Sequence, residues 1–95
     1  MSSTFERAVE AYQNSYADAL RVFEERQRKY GVGNINAFRE LGIIVRLSDK
    51  VERLKQLQRT GEEANDESLY DTFLDIANYG LIAMAVMRDE WPGDC

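Results

Sequence analysis

Asp71 and Asp75 stand four residues apart in a stretch, Asp66 to Trp91, that is otherwise apolar nearly all round. Placed on a helix at about 100° per residue, Leu69, Phe73, Ile76, Gly80, Ala83 and Met87 make one stripe and Tyr70, Leu74, Ala77, Leu81 and Met84 another. Both stripes call for burial. The strip left over carries Asp71, Asp75 and Asn78 before turning into Ile82 and Val86. Like charges at this spacing destabilise a helix by roughly 0.2–0.5 kcal/mol, and desolvating them unpaired costs several times more. They therefore need a counter-charge, either a basic side chain from a neighbouring helix or a divalent cation.

A second constellation, RLSDKVERL from Arg46 to Leu54, offers both kinds of charge. Arg46, Asp49, Lys50 and Arg53 share one side of a helix, with Glu52 at the flank. This band reads either as a solvated face laced with ion pairs, or as metal ligands (Asp49, Glu52) flanked by phosphate binders (Arg46, Lys50, Arg53). The chain has no histidine, and its one cysteine is Cys95. A metal would accordingly be held by oxygen, as Mg²⁺, Mn²⁺ or Ca²⁺ are. Carboxylates interleaved with cations suit Mg²⁺ (or Mn²⁺) carrying phosphates better than a bare calcium cage.

Three long helices position these groups. Ser2, Ser3 and Thr4 offer N-caps for a first helix opening at Glu6 or Arg7 and running to about Tyr30. Its apolar stripe is Phe5, Val9, Tyr12, Tyr16, Ala19 or Leu20, Phe23 and Tyr30; Glu24 and Glu25 are the members of its charged side that could join a site. Gly31 and Gly33 stop it, and KYGVGNIN reads as a connection. Asn34 or Asn36 then caps a second helix from about Ala37 to Arg59, with Ile44, Leu47, Val51, Leu54 and Gln58 facing inward and the charged band roughly opposite. Gly61 stops that helix, and Asn65 or Asp66 caps the third, which Trp91-Pro92-Gly93 ends. So short a connection makes the last two helices antiparallel, which sets Asp49 and Glu52 level with Asp71 and Asp75.

Ninety-five residues make one domain, 1–95. Helices of ~35–40 Å exceed the ~30 Å diameter of a compact globule of this length, so one chain cannot cover its own apolar sides. The expected fold class is all-α: an antiparallel bundle of three long helices, completed by oligomerisation into a four-helix-type core, as a homodimer or homotetramer. A net charge of −5 argues against a direct nucleic-acid partner. With no apolar leader and no membrane-length window, the expected location is the cytoplasm.

Tyr30-Gly31, RLSDKVERL and DESLYDTFLDIANYGLIA (Asp66 to Ala83) together resemble the phage and bacterial family called nucleotide modification associated domain 1. That family is similar in turn to the all-α NTP pyrophosphatases of the MazG-like superfamily. The resemblance implies that Asp49, Glu52, Asp71 and Asp75 hold Mg²⁺. On the same resemblance Asp49, Glu52 and Asp75 would act in catalysis, with one carboxylate orienting a water onto the α-phosphate. It further implies that Arg46, Lys50 and Arg53 would stabilise the pyrophosphate and that Asn78 would fix the sugar or a ligand carboxylate, with Tyr79 and Tyr30 as candidates for contact with the base. The superfamily's E-E-x-x-E is D-K-x-E here, and its E-x-x-D is replaced by the Asp71 and Asp75 spacing. Three functions follow: a Mg²⁺-dependent pyrophosphohydrolase acting on a deoxynucleotide that can be a modified one, a nucleotide-binding module without turnover, or a helical assembly protein whose acids only make ion pairs.

Overall fold

A computed structural model describes residues 3–61 and 69–93, and every regular element among them is a helix. They are α1 (Thr4–Tyr30), α2 (Gly33–Asn36), α3 (Arg39–Thr60) and α4 (Leu69–Met87). None is long and apolar enough to cross a membrane.

The helix ends follow local chemistry. Ser3 caps α1 in a capping box: its hydroxyl accepts from the Glu6 N–H at 3.0 Å while the Glu6 carboxylate accepts from the Ser3 N–H. Gly31, at φ 76°, ends that helix, and Gly61, at φ 71°, ends α3; both conformations are ones that glycine adopts without a Cβ clash. The connection KYGVGNIN is not wholly irregular, since it contains the single turn of α2. Neither Asn34 nor Asn36 caps α3. Phe38 stands at that position without a side-chain cap, and Arg39 turns the corner at φ 48°. Asn36 instead donates to the Pro92 carbonyl at 2.8 Å. At its far end α4 stops at Met87, short of Trp91. Asp89 takes φ 59°, and the Glu90 and Asp89 N–H groups bond back to Ala85 and Val86, the paired bonds of a Schellman ending. The predicted cap at Asn65 or Asp66 lies outside the described residues.

Helices α3 and α4 run antiparallel: Arg39 reaches the Val86 carbonyl, Ile43 packs with Ile82 and Val86, and Lys50 meets Asp75. The core sits at one end of this pair, where Ile35, Ile43, Ile82 and Val86 are buried and Phe23, Leu47, Tyr79, Ala83 and Trp91 pack around them. Trp91 folds back against Phe23, ring centres 6.0 Å apart and edge to face, which closes this end over α1. Helix α1 touches α4 through its C-terminal half, and Ala19 is its one buried residue. The N-terminal half, with Phe5 and Tyr12, stands clear. The radius of gyration, 15.4 Å, is accordingly larger than the ~12 Å of a compact chain of this length.

Two faces differ from the expectation. The inward strip of α4 is Thr72, Asp75, Asn78, Ile82 and Val86, the strip read as left over, while Tyr70, Phe73 and Met84 of the two apolar stripes are exposed. On α3 the inward residue is Ile43, with Arg46, Leu47, Lys50, Arg53 and Leu54 half-buried, whereas Ile44 and Val51 face outward. The rotation has a physical reason. A carboxylate buried on α4 must meet a cation, and turning α3 inward on its Arg46–Lys50–Arg53 side supplies one without removing Ile43 and Leu47 from the core.

Candidate functional site

The inward strip of α4 changes character along its length. Toward the C-terminus it is Ile82 and Val86; toward the N-terminus it is Asn78, Asp75 and Thr72, all buried. Asn78 donates to the Ala19 carbonyl at 3.0 Å and so ties α1 to α4 at the boundary. One turn earlier, the Asp75 carboxylate, 8% exposed, is held from both sides: Arg26 of α1 donates to Oδ1, and Lys50 Nζ of α3 lies 2.9 Å from Oδ2. A single carboxylate thereby links three helices. Burial pushes its pKa up, but the hydrogen bonds from Lys50 and Arg26 and their positive charges outweigh burial and hold the carboxyl below the ordinary 3.8. Asp75 is ionised at neutral pH, and its charge is matched by protein cations.

Two cavities meet around this knot. An inner one of about 410 Å³ is lined by Arg26, Gln27, Tyr30, Asn34, Arg46, Asp75, Asn78 and Tyr79, among others. An outer one of about 320 Å³ is lined by Arg46, Asp49, Lys50, Arg53 and Tyr79. Arg46 and Tyr79 wall both. Arg46, Lys50 and Arg53 fall at i, i+4 and i+7, one side of α3 spanning about 10 Å along its axis. The outer cavity thus gathers three cations, one carboxylate and a tyrosine ring, a composition suited to phosphate oxygens.

Of the residues singled out in the sequence, Arg46, Lys50, Arg53, Asp49 and Tyr79 come together in the outer cavity, and Asp75, Asn78, Tyr79 and Tyr30 in the inner one. Glu52 is exposed and pairs with Lys55 on its own helix at 3.3 Å, and Asp71 is exposed. Glu24 and Glu25 pair with Arg28 and Arg21 along the solvent side of α1, lining neither cavity. Among the described residues no three acidic side chains converge as a metal-ligand group, and each Asp75 oxygen already accepts from a cation. This donor set does not fit a resident Mg²⁺ held by protein ligands alone. Sequence reasoning missed Arg26 and Gln27. The signal for Arg26 was present: the 3–4 spacing of Phe5, Val9, Tyr12, Tyr16, Ala19 and Phe23 continues through position 26 to Tyr30, which puts an arginine where the stripe demands an inward residue.

Among the described residues, fold and site together define an all-helical protein with a cavity lined by three cations, a carboxylate and a tyrosine. Residues 26–87 match the family model for nucleotide modification associated domain 1, and the chain belongs to that family. The matched span starts at Arg26, takes in the whole α3–α4 pair, and contains both Arg26 and Lys50, the two cations paired with the Asp75 carboxylate. No curated protein and no solved structure matches the chain.

Proposed function

We propose that the chain binds a nucleotide, gripping its phosphates with Arg46, Lys50 and Arg53 and setting its base against Tyr79 and Tyr30. The observation that carries this reading is the convergence of three α3 cations on the outer cavity, whose walls Arg46 and Tyr79 also line the adjoining inner one. Guanidinium groups match phosphate oxygens bidentately, and a tyrosine between the cavities offers a ring to a base. The family's nucleotide-related description supports the same ligand class. Mg²⁺ or Mn²⁺ enters this reading as a counter-ion carried on the phosphates, which needs only one or two protein carboxylates; Asp49, and after rearrangement Asp75, are the nearest candidates, with Asp71 and Glu52 further off. The protein then works in the cytoplasm, where nucleotides are plentiful, in the host cell if a phage encodes it.

Phosphorus NMR and calorimetry with a panel of canonical and modified deoxynucleoside triphosphates test the proposal, each run with Mg²⁺, with Mn²⁺ and with chelator. Saturable broadening is expected, weakened about tenfold or more in Arg53→Ala, which removes charge-assisted bonds worth about 1.5–3 kcal/mol. If no nucleotide binds at millimolar concentration, the proposal fails.

A second reading, pyrophosphohydrolysis of the MazG-like kind, is favoured by Asp49, whose carboxylate shares the outer cavity with the three cations and could orient a water toward a bound phosphate. Release of pyrophosphate and monophosphate in the same spectra, lost in Asp49→Asn, is its signature. For either reading we propose a homodimer or homotetramer. The support is the set of large side chains left exposed on one chain, among them Phe5 at 76%, Tyr12 at 72% and Met87 at 77%. A monodisperse monomer by light scattering would remove that part.

A further inference from the structure

We infer that Asp75 is a built-in competitor for the phosphate site: an internal anion that holds Lys50 and Arg26 until a phosphate chain takes a share of them. The inference rests on the nucleotide-binding reading and reverses the role the sequence suggests for Asp75, from metal ligand to resident counter-anion.

The geometry that points to it is the double membership of Lys50. Its ammonium bonds Asp75 Oδ2 at 2.9 Å, and its side chain also lines the outer cavity beside Arg46, Asp49 and Arg53. Asp75 in turn lines the inner cavity together with Arg26 and Arg46. Among the described residues, the charged side chains lining the two cavities are Arg26 from α1, Arg46, Asp49, Lys50 and Arg53 from α3, and Asp75 itself from α4. A phosphate entering this cluster finds Arg26 and Lys50 already paired with a buried carboxylate. Its attraction is reduced by the negative charge of Asp75, and the reduction is strong because the carboxylate is shielded from solvent.

The spacing of the cations adds the ligand's shape. Arg46 and Arg53 lie about 10 Å apart along the helix axis, with Lys50 between them. A single phosphate cannot span them, and any hold it takes on Lys50 is in direct competition with Asp75. A diphosphate or triphosphate chain engages Arg46 and Arg53 and shares Lys50 while Asp75 keeps Arg26. The ligand class is therefore a phosphate chain, and neither the chain nor Asp75 needs a metal for this step.

The test is calorimetry in the presence of EDTA, with inorganic phosphate, pyrophosphate and tripolyphosphate as probes on wild-type protein and on Asp75→Asn. Wild type should bind tripolyphosphate and pyrophosphate more tightly than phosphate. Asp75→Asn should bind tripolyphosphate about tenfold more tightly than wild type, the sign opposite to that of a metal ligand. Unchanged or weaker binding by a folded Asp75→Asn overturns the inference and leaves nucleotide binding standing; a wild type that binds none of these probes and no nucleotide overturns both. Should Asp75→Asn not fold, the wild type decides alone through its carbon-detected carboxyl resonances. The Asp75 carboxyl signal should move on saturation with tripolyphosphate, and an immobile signal at saturation overturns the inference.

Discussion

The two ends of the α3–α4 interface are made from one strip of α4 by opposite means. At the end with Ile43, Ile82 and Val86, apolar side chains pack against one another, and the cavities beside them are walled mainly by carbon. At the other, Thr72, Asp75 and Asn78 are buried as deeply, but they are matched by Arg26, Lys50 and a backbone carbonyl, and two cavities open beside them. An apolar end of this kind stabilises in proportion to the area it removes from water. A buried ion-pair cluster returns little net stability, because desolvation consumes most of its Coulombic gain. The contrast teaches where function is to be sought: the charged end contributes less to the fold than an apolar substitute of the same volume would, and it is the end that offers chemistry.

Substitutions can break this comparison, the largest effect first. Ile43→Ala, at a position 2% exposed, should cost about 2–5 kcal/mol in urea unfolding, through lost transfer energy and a cavity that the helix pair cannot close. A cost under 1 kcal/mol would mean that the apolar end is not the core. Lys50→Met should cost less, about 1–3 kcal/mol, since Arg26 remains on Asp75 and both cations are partly exposed. Adding Asp75→Leu to Lys50→Met should then restore most of that loss while phosphate binding stays weak. Failure to recover would show that the pair is needed for folding itself.

The comparison also has a pH arm. The folded-state pKa of Asp75 is depressed, so its contribution is fully present above the unfolded carboxylate range and is lost as pH falls through its folded value, below about 3.8. Wild type should therefore lose stability across that acid window, and Asp75→Asn should lose less of it, measured by thermal melts from pH 5 downward. Equal slopes would mean that Asp75 is not the titrating contact. The smallest effect is a control remote from both ends: Ser3→Ala should cost about 0.5–1 kcal/mol through its lost capping box, with phosphate affinity unchanged.

What could be read without the structure divides along lines of range. The start of α1 near Ser3 and its stop at Gly31, and the stop of α3 at Gly61, are written in residues a few positions apart, and the structure places them within three residues of the reading. The ending of α4 was misplaced because Trp91-Pro92 is a visible stop, whereas Asp89 in a left-handed conformation is not. The grouping of Arg46, Lys50 and Arg53 followed from helical spacing alone, and so did the need of Asp75 for a counter-charge. Which counter-charge arrives did not follow, because Arg26 is 49 residues away on another helix.

By itself, then, the sequence determined the three long helices, the antiparallel pairing of the last two of them, the cationic side of α3 and the demand for charge around Asp75. All of these depend on periodicity and short loops. The tertiary structure alone decided which strip of α4 turns inward. With apolar residues on both flanks, hydrophobicity cannot choose between rotations of that helix. The choice falls to a long-range pairing, in which α1 and α3 together bring Arg26 and Lys50 to one buried carboxylate.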